Sequence, residues 1–137
     1  MKNKRLIIYA DGASRGNPGP AGAGAVIIEG RKKVKELSRY LGETTNNVAE
    51  YNAVIMALED ALAMKADEVL IRVDSELVVK QLNGEYRVKD EEIRKLFEKV
   101  LGILRIFSHF EVRHVGRAGN KDADKLANKA INLSSLF

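Results

Sequence analysis

Short apolar runs alternate along the chain with segments in which apolar residues recur at helical spacing. Apolar or β-branched runs that end at turn residues predict strands at 6–9, 24–29, 34–41, 67–73 and 109–115. Helical spacing predicts helices over 44–64, 75–82, 90–105 and from residue 120 onward. The second and third strands are close enough for an antiparallel hairpin, whereas a helix precedes the fourth. The fourth strand should therefore lie parallel to the first, after a right-handed crossover.

Two aspartates follow the two strands that this topology makes parallel. Asp11 comes directly after the first apolar run, and Asp74 directly after the fourth. Since ligands of open α/β sheets gather at the carboxyl ends of parallel strands, both carboxylates are expected at the same end of the sheet. An isolated Asp-Gly after a strand is more often part of a β-turn. A ligand-binding role for the aspartates is therefore favoured only if other acidic residues lie near them.

Glu50 is the first such partner. It lies on the same helical line as Val54, Ala57 and Ala61, which should face the sheet. A carboxylate in that position is costly unless it is paired or holds a cation. The alternative is that Asn47 and Glu50 form a capping pair at the start of the helix.

Glycine and proline dominate the segment that follows Asp11. Residues 12–24 read GASRGNPGPAGAG, a composition that predicts a loop whose backbone can lie close to a ligand. The third strand carries Lys33, Lys35 and Arg39, which protect an exposed sheet edge or contact phosphate; we favour edge protection. Asn120 is the expected N-cap of the last helix.

The composition narrows the class of protein. A chain of 137 residues suits one domain, here 1–137, and it contains no cysteine, so a metal would be held by oxygen or by two histidines. No apolar run is long enough to span a membrane, and we expect a cytoplasmic protein. The formal charge of +4 mildly favours polyanionic partners without deciding the matter.

Four ordered blocks give the chain a specific resemblance. They are DGASRGNPGPAGAG from Asp11, TTNNVAEYNA from Thr44, VDS from Val73 and GRAGNKDADKLA from Gly116. With them the chain resembles type 1 ribonuclease H along nearly its whole length, in the compact archaeal-like form without a basic protrusion. The resemblance implies a ribonuclease H-like α/β fold, with a five-stranded mixed β-sheet flanked by α-helices. It also implies an endonuclease that cleaves the RNA strand of RNA/DNA hybrids and leaves 5′-phosphate and 3′-hydroxyl ends.

The resemblance also implies the site residues. The metal-binding catalytic carboxylates would be Asp11, Glu50, Asp74 and Asp124, the last chosen over Asp122 by its A-D-x-L-A spacing, and they would hold two ions of Mg²⁺ or Mn²⁺. The residues expected to contact substrate are Gly12, Gly16, Asn17, Thr45, Asn46 and Ser75. The partner would be the hybrid duplex, with double-stranded RNA left open, and the protein is expected to be a monomer.

Two departures from the family pattern stand out. Arg117 occupies the loop position where many relatives carry a histidine, and we assign it to the catalytic group as a phosphate contact; the alternative is a surface pair with Asp122. Residues 83–90 leave no room for a basic protrusion. Binding of the hybrid would then depend on dispersed basic residues, including Lys33, Lys35, Arg87 and Lys89.

Other assignments stay open at this point. His109 and His114 are more simply structural histidines of a strand than proton carriers, and we leave both out of the catalytic group. The same carboxylates would suit another nuclease of the superfamily, acting on DNA junctions or double-stranded RNA. A hybrid-binding module without chemistry is the remaining alternative.

Overall fold

The computed structural model describes residues 3–136; the two N-terminal residues and the C-terminal residue of the predicted 1–137 domain lie outside the described part. Five strands form one mixed sheet in the order β3-β2-β1-β4-β5, with helices on its faces, which confirms the predicted fold. The elements in chain order are β1 Arg5–Ser14, β2 Gly19–Glu29, β3 Lys32–Thr44, α1 Asn46–Ala63, β4 Glu68–Val73, α2 Glu76–Leu82, α3 Glu91–Leu104, β5 His109–His114, a 3₁₀ turn Arg117–Asn120 and α4 Lys121–Ser134.

The strand order follows the predicted topology. β1, β2 and β3 form an antiparallel meander, and β4 returns parallel to β1 with β5 parallel to β4. Asp11 and Asp74 therefore emerge toward the same end of the sheet. β3 is an edge strand, as predicted, and two of its lysines form ion pairs. Lys33 Nζ lies 3.2 Å from Glu36 Oε2, and Lys35 Nζ lies 2.7 Å from Asp60 Oδ2.

The core lies between the sheet and α1, with α3 packed behind α1. The line of α1 that carries Glu50 is buried against the sheet, as its spacing predicts. α4 covers the opposite face over β1, β2 and β3. Its approach requires glycine in β2, because a Cβ on Gly24 would lie 2.2 Å from the Ala123 carbonyl oxygen. Among residues 3–136, no helix is both long enough and apolar enough to cross a membrane.

The first two strands are longer than predicted. Asp11 lies within β1 and pairs with Gly24, and the ladder continues to the pairing of Ser14 with Ala21. Gly12 lies in the same strand beneath α1, where a Cβ would be 2.2 Å from the Ala49 carbonyl carbon. The prediction of a glycine-rich loop over residues 12–24 is therefore wrong: the connection is limited to residues 15–18, and most of these glycines let helices pack closely on the sheet.

Two predicted helix caps also differ. The N-cap of α1 is Thr45, whose side-chain oxygen accepts a hydrogen bond from the Val48 backbone N–H at 3.3 Å, so the capping pair that begins at Asn47 is wrong. Asn120 stands at the N-cap position of α4, but its side chain makes no capping bond. Its Nδ2 instead donates to the Ala10 carbonyl oxygen at 2.9 Å, which ties the start of α4 to β1.

Candidate active site

Three carboxylates from three different elements converge at the end of the sheet. Asp11 comes from β1, Glu50 from the first turns of α1, and Asp74 from the residue after β4. Each offers one oxygen, and these oxygens all lie within 4.8 Å of one another. Asp11 is 5% exposed and Glu50 6% exposed, whereas Asp74 is half-buried. The structure thus brings together three of the four carboxylates that the resemblance implies.

Burial and mutual repulsion change the protonation of this cluster. Burial, the Asp74 charge, hydrogen bonding with Asp124 and the Glu50 charge together raise the pKa of Asp11 to about 9. Burial likewise raises the pKa of Glu50 to about 7, against hydrogen bonds from Ser75 and Asn46 and the charge of Arg117, which lower it. Carboxylates held this close cannot all ionise without a compensating positive charge.

Glu50 is only partly satisfied by protein groups. Its Oε1 accepts a hydrogen bond from Asn46 Nδ2 at 3.3 Å, while its buried Oε2 has no hydrogen-bond partner among residues 3–136. A buried carboxylate oxygen without a donor is costly unless a cation satisfies it. Together with the all-oxygen donor set, this oxygen fits a hard divalent cation such as Mg²⁺ or Mn²⁺.

Asp124 and Arg117 complete the rim of the same pocket. The pocket has a volume of about 630 Å³ and is lined by Asp11, Gly12, Ala13, Ser14, Asn46, Glu50, Asp74, Ser75, Arg117, Ala118, Lys121 and Asp124. Asp124 is exposed at its mouth, on the first turn of α4. Asp122 lies outside this pocket and 3.6 Å from Lys33 Nζ, so the alternative pairing of Asp122 with Arg117 is wrong.

The predicted substrate-contact residues divide into two groups. Gly12, Asn46 and Ser75 line the acidic pocket. Asn17 and Thr45 line a neighbouring depression that Asn46 also borders, and Gly16 lies in the turn between β1 and β2 with a φ of +126°. The two depressions are connected by a hydrogen bond, because the Asn46 backbone N–H donates to Asn17 Oδ1 at 3.1 Å.

One charged residue of the pocket was not identified from the sequence. Lys121 lines the pocket three residues before Asp124, at a spacing that places the two on the same side of α4. Ser75 Oγ accepts a hydrogen bond from Val78 N at 3.2 Å and so caps α2 as well as facing Glu50. His109 and His114 lie exposed on β5 and do not line the pocket.

Comparison with known proteins identifies the class that this fold and site define. The family model described as reverse transcriptase-like matches residues 9–130. The ribonuclease H of Alcanivorax borkumensis is 34% identical over 94% of this chain and 93% of its own length. The chain therefore belongs to the ribonuclease H family.

Solved structures place it more closely within that family. Ribonuclease H1 from Halobacterium salinarum NRC-1 superimposes with a TM-score of 0.91 at 43% identity, over 93% of this chain and 98% of that one. LC11-RNase H1, solved in complex with an RNA/DNA hybrid, gives a TM-score of 0.88 at 46% identity, over 94% and 98%. The chain spans 36% of the length of the mycobacterial relatives that it matches and 65% of the curated Halobacterium salinarum ribonuclease HI.

Proposed function

We propose that the protein is an endoribonuclease that hydrolyses the RNA strand of RNA/DNA hybrids and leaves 5′-phosphate and 3′-hydroxyl ends. The observation that carries the proposal is the convergence of the Asp11, Glu50 and Asp74 oxygens within 4.8 Å, in an open pocket on this fold. Similarity to LC11-RNase H1, whose structure contains an RNA/DNA hybrid, supports the substrate class. The 137 residues would act as one ribonuclease H domain.

The four acidic residues are proposed as ligands of two divalent ions, Mg²⁺ or Mn²⁺. Asp11, Glu50 and Asp74 would hold one, and Asp124 with Asp11 would hold the other. When bound, such ions supply an activated water and offset charge on the phosphate and the leaving oxygen. The unpartnered Glu50 Oε2 and the mutual repulsion of the carboxylates support this assignment.

The protein's own groups hold this site in place. Asn46 Nδ2 donates a hydrogen bond to Glu50 Oε1, and both Asn46 and Ser75 lower the pKa of Glu50, which favours its ionised form. Arg117 is exposed at the rim on a short 3₁₀ turn, and its guanidinium would donate to the scissile or departing phosphate. Since arginine stays protonated, its contribution is electrostatic and not proton transfer.

Recognition of the RNA strand is assigned to small and amide-bearing residues around the pocket. Gly12 contributes backbone to the pocket wall, and Asn46 and Ser75 face the same space. Such groups can contact sugar and phosphate in a minor groove, where 2′-hydroxyls distinguish RNA from DNA. We extend the assignment to Gly16, Asn17 and Thr45, because the hydrogen bond from Asn46 to Asn17 connects the two depressions.

Other parts of the proposal concern the protein as a whole. We propose that the protein acts in the cytoplasm, where it would meet RNA/DNA hybrids. We propose that it acts as a monomer, because a single copy of the chain carries all four carboxylates assigned to the site. Double-stranded RNA is the one further substrate that minor-groove recognition of 2′-hydroxyls would admit.

A substrate panel tests the proposal. Labelled RNA/DNA hybrid, double-stranded RNA and double-stranded DNA are incubated with the protein and Mg²⁺, Mn²⁺ or EDTA. Cleavage of the RNA strand of the hybrid, dependent on a divalent ion and leaving 5′-phosphates, is the expected result. Cleavage of the DNA duplex with the hybrid intact would assign the site to a different nuclease, and hybrid binding without cleavage would leave a binding module.

A further inference from the structure

A series of hydrogen bonds connects the exposed Asp124 carboxylate to the turn between β1 and β2. Asn128 stands one helical turn after Asp124 on α4, and its Nδ2 donates to the Asp124 Oδ1 at 3.2 Å and to the Asp124 carbonyl oxygen at 3.0 Å. The other side of the same amide is also used, because Arg15 Nη2 donates to Asn128 Oδ1 at 3.2 Å. The two contacts fix the orientation of the amide, since only Nδ2 can donate and only Oδ1 can accept.

Arg15, at the other end of this series of hydrogen bonds, is held in place by the turn between β1 and β2. The Arg15 backbone N–H donates to the Pro20 carbonyl oxygen at 2.9 Å, which closes the turn between β1 and β2. The turn is compact, because a Cβ on Gly19 would lie 2.4 Å from the Arg15 carbonyl oxygen. Arg15 therefore reaches α4 from a fixed position in the strand pair that also carries Asp11.

Asp124 needs such a connection more than the other three carboxylates. Asp11 and Glu50 are held by burial, and Asp74 follows a core strand directly, whereas Asp124 is exposed on a helix surface. A free aspartate on a helix samples several rotamers, and each time it must be ordered again before it can act with Asp11. A group that holds the carboxylate of an acidic site in one orientation raises its effectiveness without touching substrate.

We propose that Arg15 and Asn128 are positioning residues that orient Asp124 toward Asp11. Asn128 acts directly by donating to the Asp124 carboxylate, and Arg15 acts through Asn128 by fixing its amide. This inference rests on the proposed function, because it gives Asp124 a part in the cleavage site. It concerns geometry and turnover, not folding: hydrogen bonds this exposed contribute little to stability.

Nuclear magnetic resonance on the metal-free protein tests the contact without any activity. The Asn128 side-chain amide protons should shift in Asp124→Asn and in Arg15→Ala, and should stay unchanged in Asp122→Asn, which alters the neighbouring aspartate that pairs with Lys33. Unchanged chemical shifts of the Asn128 side-chain amide in Asp124→Asn would overturn the proposal. This readout stands even if the protein cleaves no hybrid, so failure of the inference and failure of the proposed function are distinguishable.

Kinetics on the hybrid test the consequence. Asn128→Ala should lower kcat about 10-fold, within the range found when a group that orients a site ligand is removed, with KM for the hybrid unchanged. Arg15→Ala should lower kcat less, and Arg15→Lys should restore part of the loss. The matched control is Asn132→Ala, an exposed asparagine one turn further along α4, which should retain wild-type kcat.

Three results would contradict the positioning role. A rise in KM with kcat unchanged in Arg15→Ala would make Arg15 a substrate contact instead. A fall in melting temperature in Asn128→Ala that accounts for the lost activity would make Asn128 a structural residue of α4. Unchanged kcat in Asn128→Ala would also remove it from the site.

Discussion

Asp11 and Glu50 are almost fully buried, yet both are acids whose ordinary pKa values, 3.8 and 4.5, would leave them charged at neutral pH. Burial, together with the charges of the neighbouring carboxylates, raises these pKa values to about 9 and about 7. Because the folded pKa lies above the unfolded one, the stability that these groups contribute is present below pH 4. It is lost as the pH rises through 7 and then 9.

A pH-dependent stability follows from this sign. In EDTA, the melting temperature of the wild-type protein should fall between pH 6 and pH 9 more than that of Asp11→Asn, which carries no charge at that position. Each pKa unit corresponds to about 1.4 kcal/mol, so ionised Glu50 alone costs about 3 kcal/mol. Added Mg²⁺ should raise the wild-type melting temperature more at pH 8.5 than at pH 6. Parallel pH profiles of wild type and Asp11→Asn would contradict the buried-charge account.

Arg117 gives a second prediction, on turnover. Its charge faces Glu50 across the rim of the acidic pocket and is free of the pairing with Asp122 that was the alternative. Arg117→Ala should lower kcat by about 10- to 1000-fold, as expected for the loss of one donor to a developing charge. Arg117→Lys should recover part of that loss. Lys125→Ala, an exposed cation of α4 outside the pocket, is the control, and equal turnover in wild type and Arg117→Ala would leave Arg117 as a surface charge.

The packing of α4 on β2 sets where Asp124 stands, and two glycines test it. A Cβ on Gly24 would lie 2.2 Å from the Ala123 carbonyl oxygen and 2.5 Å from the Ala127 N, so Gly24→Ala must displace α4. We expect a loss of about 3 kcal/mol in the free energy of unfolding, measured by denaturant titration, together with a loss of turnover.

Gly102→Ala is the matched control for this change. Gly102 lies inside α3, and a Cβ there would meet no atom within 4 Å. Alanine should raise the free energy of unfolding by about 0.5 to 1 kcal/mol, because it restricts the unfolded chain and favours the helix. Similar losses from both substitutions would show that close approach of α4 is not what Gly24 provides.

The sequence predicted the elements better than their ends. The alternation of strands and helices, the parallel return of β4 and the burial of the Glu50 line all follow from periodicity and connection length. The extension of β1 beyond Asp11 does not, because glycine is a weak strand former and its presence here depends on the approach of α1 and α4. Similarly, Asn120 has the right position for a cap, but tertiary contact with the Ala10 carbonyl oxygen determines what its side chain binds.

The sequence predicted the site residues whose side-chain type indicates metal binding. It missed the residues whose role depends only on where the fold places them. Asp11, Glu50 and Asp74 could be grouped because strand direction and helical phase placed them together. Lys121 and the contact of Asn128 with Asp124 could not, because both are ordinary polar residues of a helix surface. Spacing of three or four residues from Asp124 is the signal that would have indicated them.

At the scale of the whole molecule, the cations predicted to contact phosphate are dispersed over the described residues. The connection between α2 and α3 is short, as predicted, and Lys33 and Lys35 are engaged in ion pairs within the chain. Arg87 and Lys89, both exposed in that connection, remain as the predicted cations available to phosphate. We therefore expect few neutralised phosphates and weak binding.

The salt dependence of hybrid binding measures the number of phosphates that the protein neutralises. A plot of log binding constant against log salt concentration should be shallow, and Arg87→Ala should reduce its slope by about 1. Lys35→Ala should leave the slope unchanged, because Lys35 is paired with Asp60 at 2.7 Å. A slope typical of about eight phosphate contacts would contradict the expectation of weak binding through a few dispersed contacts.

The most direct test of the account is cleavage of an RNA/DNA hybrid by wild type and by Asp74→Asn, with hybrid binding measured in parallel. The substitution removes one charge from the carboxylate cluster with little change of shape, so the variant should fold, bind the hybrid as wild type does and show no measurable cleavage. Its stability in metal-free buffer should equal or exceed that of wild type, because repulsion falls. Cleavage at the wild-type rate by Asp74→Asn would contradict the assignment of the acidic cluster as the active site.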